Sequence, residues 1–160
     1  MKNKTIVRLA TPNDIKLILY FINALATYEK MTHRVKVNEA SLNESLFVKK
    51  HAEVLLLFEA DKAVGFAIFY PIFSSFKGKA SLYLEDLFIE ESYRGNGYGK
   101  TLMKELGRIT LERDYDNLKW SCLDWNTPSI EFYHSIGAEL IDEWVYFKLE
   151  GKSLTQFINE

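Results

Sequence analysis

The stretch from Ser81 to Lys100 constrains the fold more than any other part of the chain. Ser81-Leu82-Tyr83-Leu84-Glu85-Asp86-Leu87-Phe88-Ile89 has the apolar and aromatic content of a buried strand. Glu90-Glu91-Ser92-Tyr93 supplies a short turn, and Arg94-Gly95-Asn96-Gly97-Tyr98-Gly99-Lys100 leads into an amphipathic helix. Glycines delivered by a strand to a helix N-terminus make an anion cradle: the backbone approaches a phosphate closely, the first helical N–H groups lack intrahelical acceptors, and the helix dipole favours negative charge. The loop therefore points to a phosphorylated ligand, while the glycines taken alone also fit a tight turn that holds nothing. Just upstream, Glu85 and Asp86 interrupt an otherwise hydrophobic strand.

Spacing excludes two phosphate loops. Gly99-Lys100-Thr101 matches the end of a Walker A loop, but that loop needs a glycine where Arg94 stands. A dinucleotide fingerprint needs a third glycine where Lys100 stands, and a strand at the chain start rather than its middle. The order Arg94-Gly95-x-Gly97-x-Gly99 resembles instead the pyrophosphate loop of the GNAT N-acetyltransferase superfamily, and Asn126-Thr127-Pro128-Ser129-Ile130-Glu131-Phe132-Tyr133 with Gly137-Ala138 resembles that superfamily's last block. Ala26-Thr27-Tyr28-Glu29-Lys30-Met31, Gly65-Phe66-Ala67, Tyr83-Leu84-Glu85-Asp86 and Trp144 are similar to its diamine branch, which acts on spermidine, spermine or thialysine. The likeness runs from about Ile6 to Lys148. At Ala60-Asp61-Lys62 the chain departs from the polyamine enzymes, which carry a longer loop there.

The resemblance implies a single domain over residues 1–160 with an α/β (α+β) fold: a central mixed, mostly antiparallel sheet of six to seven strands, a bulged and splayed central strand, and helices on both faces. It implies acetyl-CoA as co-substrate, with the backbone of Leu87, Phe88 and Ile89 along the pantetheine arm. Arg94, Gly95, Asn96, Gly97, Tyr98, Gly99 and Lys100 would surround the pyrophosphate, and Asn126 and Ser129 would border the arm. Tyr133 would lie beside the thiol and protonate it as it leaves. Tyr28, Glu29, Glu85, Asp86, Asp142 and Trp144 would receive the amine, Glu85 as general base through a water and Asp86 as an anionic anchor. A homodimer is implied by resemblance alone.

Residue chemistry gives these acids a purpose. A lysine-like alkylamine has a pKa near 10.4, so only about one molecule in 10³ is a neutral nucleophile at pH 7. An acidic pocket binds the abundant cation, and one proton must then leave before direct attack on the thioester in a ternary complex. Each residue also has a plainer reading. In a regular strand Glu85 and Asp86 face opposite ways, one at a sheet edge or paired to a structural arginine. Tyr28 and Glu29 also fit a frayed helix end, Tyr133 and Trp144 fit ordinary core, and Arg94 fits a turn cap.

A chain of 160 residues with 48% hydrophobic and 26% charged residues has the length and composition of one soluble globular domain. Its net charge of -2 offers no general attraction to nucleic acid. The lone Cys122 allows no internal disulfide and reads as buried filler; Arg8 and Asp14 interrupt any signal-like start, and the longest apolar run, Val54 to Phe58, is too short to span a bilayer. These features point to the cytoplasm. His33, His51, His134 and Cys122 lack ligand-like spacing, so no metal is expected.

Periodicity places a strand at Thr5 to Leu9, then a helix opened by Thr11-Pro12-Asn13-Asp14 and buried through Ile15, Ile18, Leu19, Ile22, Leu25 and Ala26. A short helix follows from Asn38 to Phe47, strands at Val54 to Glu59, Ala63 to Phe73 and Ala80 to Ile89, and a helix buried through Leu102, Met103, Leu106, Ile109 and Thr110. Leu118 to Leu123 reads as a fifth strand, Asn126 as the cap of a helix ending at Gly137, Glu139 to Lys148 as two short strands or one bent one, and Gly151 to Phe157 as a weak helix. Three functions remain open: acetylation of a small diamine, polyamine or lysine-like amino acid; acetylation of a peptide or protein amine; and a catalytically silent coenzyme-binding module.

Overall fold

Apolar strands pair in chain order. In the computed structural model, which describes residues 4–159, β1 (Thr5–Leu9), β2 (Glu53–Glu59), β3 (Lys62–Ser74) and β4 (Lys79–Ile89) form successive antiparallel ladders. The short β5 (Leu118–Trp120) adds in parallel to β4, giving the order β1-β2-β3-β4-β5. The helices are α1 (Ile15–Tyr28), α2 (Glu39–Asn43), α3 (Tyr98–Glu112), α4 (Thr127–Ser135) and α5 (Gly151–Ile158). The described residues group into two compact units, one ending at Ser121 and the other beginning at Cys122.

In the first unit the sheet is covered on both faces. Strand alternation sends Val54, Leu56, Phe66, Ile68 and Phe88 to one side, where they pack with Ile15, Ile18, Phe21 and Leu25 of α1 and Leu42 of α2. Leu55, Leu57, Ala67 and Phe69 alternate with them and are equally buried. They face the opposite side, where Leu102, Met103, Leu106 and Ile109 form the buried stripe of α3. On α1 the buried face is centred on Phe21, while Leu19 and Ile22 are only half-buried. Asp14 closes the turn before α1: it accepts the Thr11 N–H at 2.7 Å and pairs with Arg8 at 2.8 Å, which holds its carboxyl well down, to about 2. The side chain of Asn38 caps α2 by accepting the Ser41 N–H at 2.9 Å.

In the second unit Asn126 opens α4, Pro128 lies in its first turn, and Gly137, at φ 87°, stops it in the left-handed region. Helix α5 ends the described chain.

Two expectations are corrected. The sheet has five strands among the described residues, not six or seven, because residues 139–148 form no strand. That segment has the composition of a strand but finds no ladder partner, and backbone pairing, not composition, defines a strand. The fifth strand stops at Trp120 rather than Leu123 because its pairing with β4 covers only Leu82 to Leu84.

Candidate active site

The central feature is a bulge in β4. Ile68 lies opposite Asp86 and the next residue, Phe69, lies opposite Leu84, so Glu85 has no cross-strand partner. An extra residue of this kind re-aims side chains that strict alternation would send apart. Asp86, opposite Ile68, shares the α1 side of the sheet with Phe88. Glu85 reaches the side on which Tyr70 and Tyr83 form a cross-strand pair, since its Oε2 accepts the Tyr70 hydroxyl at 2.7 Å. The rings of Tyr70 and Tyr83 are 5.4 Å apart, and the Tyr83 hydroxyl is hydrogen-bonded to Ser121 Oγ at 3.1 Å.

Glu29, the residue that caps the C-terminus of α1, completes the cluster. Burial, then the charges of Glu85 and Glu29, push the half-buried Asp86 carboxyl up to about 7. Glu29 is also raised, by burial. None of the ion pairs among the described residues takes in Glu29, Glu85 or Asp86, so pairing to a structural arginine does not explain these acids. Glu85 itself is exposed.

Beyond Leu84 the far edge of β4 is unpaired among the described residues, since the β5 ladder ends there. Leu87, Phe88 and Ile89 follow the two acids along that edge. Leu87 is half-buried, while Phe88 and Ile89 are 7% and 8% exposed and contribute to the core.

Next comes the cradle. Gly95 and Gly97 have φ of 80° and 81°, and Gly97 is the N-cap of α3. A Cβ at either would meet nothing within 4 Å, so glycine is required by backbone conformation and not by lack of space. The amides of Tyr98, Gly99 and Lys100 open α3, where no intrahelical acceptor serves them, and the Lys100 side chain is exposed.

Side chains pin the loop from behind. Arg94 Nε donates to the Ile89 carbonyl at 2.9 Å, and the guanidinium lies 4.7 Å from the Tyr28 ring and 5.3 Å from that of Phe88. Arg94 therefore caps the turn. The Tyr98 hydroxyl donates to Glu59, and Asn96 Nδ2 donates to the Tyr93 carbonyl at 3.1 Å. The loop residues with no such anchoring role are Gly95, Gly97, Gly99 and Lys100. Their arrangement suits a diphosphate.

The first unit thus brings together Glu29, Glu85 and Asp86, and separately assembles the glycine cradle with Tyr28 behind it. The other expected residues belong to the second unit. Asn126 is 5% exposed, and its Oδ1 accepts the Ser129 N–H at 3.4 Å. Tyr133 is half-buried on α4, its ring 5.4 Å from Phe132. Asp142 and Trp144 lie in an irregular stretch, Trp144 at 70% exposure. Cys122, expected to be buried, is exposed, because β5 ends before reaching it. Sequence reading did not single out Tyr70. Only the bulged register reveals that its hydroxyl meets Glu85.

The sequence model of the acetyltransferase (GNAT) family matches residues 19–138, a span that includes both the acids and the cradle. The chain belongs to the GNAT acetyltransferase family. It is 30% identical to the thialysine N-epsilon-acetyltransferase of Bos taurus, over 94% of this chain and 95% of that one. It is 26% identical to an L-ornithine N5-acetyltransferase of Arabidopsis thaliana, over 92% and 85%. Among solved structures, an integron cassette protein from the mobile metagenome of V. cholerae superposes with a TM-score of 0.81 at 29% identity, covering 100% of this chain and 99% of that one. The bulged β4 and the glycine loop both lie within the matched span, and the family uses acetyl-CoA as co-substrate. Among the described residues no helix is long and apolar enough to cross a membrane, and no group of His, Cys, Asp and Glu is placed to hold a metal ion.

Proposed function

We propose that this acetyltransferase transfers the acetyl group of acetyl-CoA to a primary amine of a small cationic acceptor, either a diamine or polyamine or a lysine-like amino acid such as thialysine. The observation that carries this reading is the bulge at Glu85, which gathers Glu85 and Asp86 on one face near Glu29 without a paired cation. Such a cluster attracts an alkylammonium.

Acetyl-CoA supplies a thioester carbonyl open to attack by an amine. Gly95, Gly97, Gly99 and Lys100 hold its diphosphate, and the unpaired edge at Leu87 to Ile89 receives its extended arm. The environments of the two adjacent acids support exchanging the roles that resemblance assigned them. Asp86, held near neutrality, is the better proton acceptor, because a base works best with a pKa close to the working pH. Glu85, exposed and hydrogen-bonded by Tyr70, anchors the cation. Tyr133 donates the proton to the departing thiol, a role drawn from the family motif that its helix carries.

The family match crosses from the first unit into the second, which supports one catalytic domain over the whole chain. The likeness to the diamine branch supports a homodimer. A cytoplasmic enzyme with no nucleic-acid or membrane partner completes the reading; the net charge of -2 and the lone Cys122 support it. The test is release of free thiol from acetyl-CoA with spermidine, spermine, putrescine, thialysine and lysine peptides. Turnover with small amines is expected; turnover with peptides alone moves the acceptor to protein amines, and release with none overturns the proposal.

A further inference from the structure

We infer that Tyr70 is a positioning residue for the acceptor amine: it assigns the bulged Glu85 to the Asp86 face of the sheet and holds its carboxylate ready for the cation. The inference rests on the proposed amine site and adds a residue that neither the family motif nor the likeness to the diamine branch includes.

A bulged residue has no cross-strand partner to set its direction. Glu85 lies between Leu84, which is buried on the α3 side, and Asp86, which faces α1. Its side chain is exposed, and ordering a glutamate costs conformational entropy. The only side-chain hydrogen bond seen for Glu85 among the described residues comes from the Tyr70 hydroxyl, at 2.7 Å.

Tyr70 is well placed to impose this order. It sits directly opposite Tyr83, two positions past Ile68 in the same strand, and its ring is stacked at a tilt on that of Tyr83. Tyr83 is tied in turn to Ser121. The donor is therefore mounted on a cross-strand aromatic pair. Burial first, then the hydrogen bond to Glu85 and the charges of Glu85, Tyr83 and Asp86, raise the Tyr70 phenol above its ordinary range, so it remains a proton donor throughout the neutral range. A carboxylate fixed before binding loses less entropy when the ammonium arrives.

The test compares Tyr70→Phe with Tyr83→Phe, each keeping its ring, in calorimetric titrations of spermidine and of acetyl-CoA and in the thiol-release assay. Tyr70→Phe is expected to weaken spermidine binding and raise the amine KM by about five- to twentyfold, leaving acetyl-CoA affinity unchanged. Tyr83→Phe breaks only the link to Ser121 and is expected to change amine affinity less than twofold. A merely structural role for Tyr70 would lower the unfolding midpoint or both ligand affinities together, and that result overturns the inference. Unchanged spermidine affinity in Tyr70→Phe overturns it as well. The two levels separate cleanly: wild-type protein that binds spermidine but transfers no acetyl group removes the acetyltransferase reading, while the Tyr70→Phe binding loss still supports Tyr70. Normal turnover with equal binding by both variants removes Tyr70 alone.

Discussion

At the residue scale, the two adjacent acids are separable by experiment. Asp86→Asn removes the proposed proton acceptor and is expected to lower kcat/KM by about 10² to 10⁴. The wild-type profile should rise with pH through about 7 as Asp86 loses its proton, and this inflection should vanish in the variant. Stability offers a second readout. The folded protein holds the Asp86 proton more tightly than the unfolded chain, so the site carries no penalty at low pH and its full penalty once pH exceeds about 7. Thermal unfolding should therefore show Asp86→Asn gaining on the wild type as pH rises from 4 to 8. Glu85→Gln should act differently, raising KM for dicationic amines more than for monocationic ones with a smaller change in kcat. Tyr133→Phe keeps the ring and removes the hydroxyl; kcat should fall while acetyl-CoA affinity, read by calorimetry, stays nearly constant.

At the scale of elements, the β4-to-α3 connection works through backbone conformation. Gly97 sits at φ 81°, and a β-branched side chain there is strained although its Cβ meets no neighbour within 4 Å. Gly97→Val should remain folded and bind acetyl-CoA at least tenfold more weakly by calorimetry, because both the strain and the added bulk fall in the proposed diphosphate cradle. Unchanged affinity in a folded variant would take the loop out of the site. Gly65 shows a different use of glycine. A Cβ there would lie 2.8 Å from the Phe88 carbonyl oxygen, so β3 and β4 could not approach as they do at that point.

At the scale of the whole molecule, the proposed homodimer rests on the likeness to the diamine branch, and light scattering at micromolar concentration should give twice the mass of the 18.6 kDa chain. A monomer mass would contradict the homodimer.

Much of this was readable in the residues. The apolar periods of α1 and α3, the strand-to-glycine-to-helix order at Ser81 to Lys100, and the cap at Asn126 are local signals, each set by a few neighbouring residues and the backbone angles they favour. Adjacent acids in a hydrophobic strand stood out as candidate site residues, and the family motif foretold a bulge without saying which residue it would leave unpaired. Strand pairing decided the rest. That Glu85 is the residue left out, that Tyr70 meets it, and that the Asp86 carboxyl is raised to about 7 all depend on the register of β3 against β4. Register joins residues far apart in the chain and is set by packing of the whole sheet. For the same reason residues 139–148 could have the composition of a strand and form none: a ladder needs a neighbour, and no local pattern supplies one.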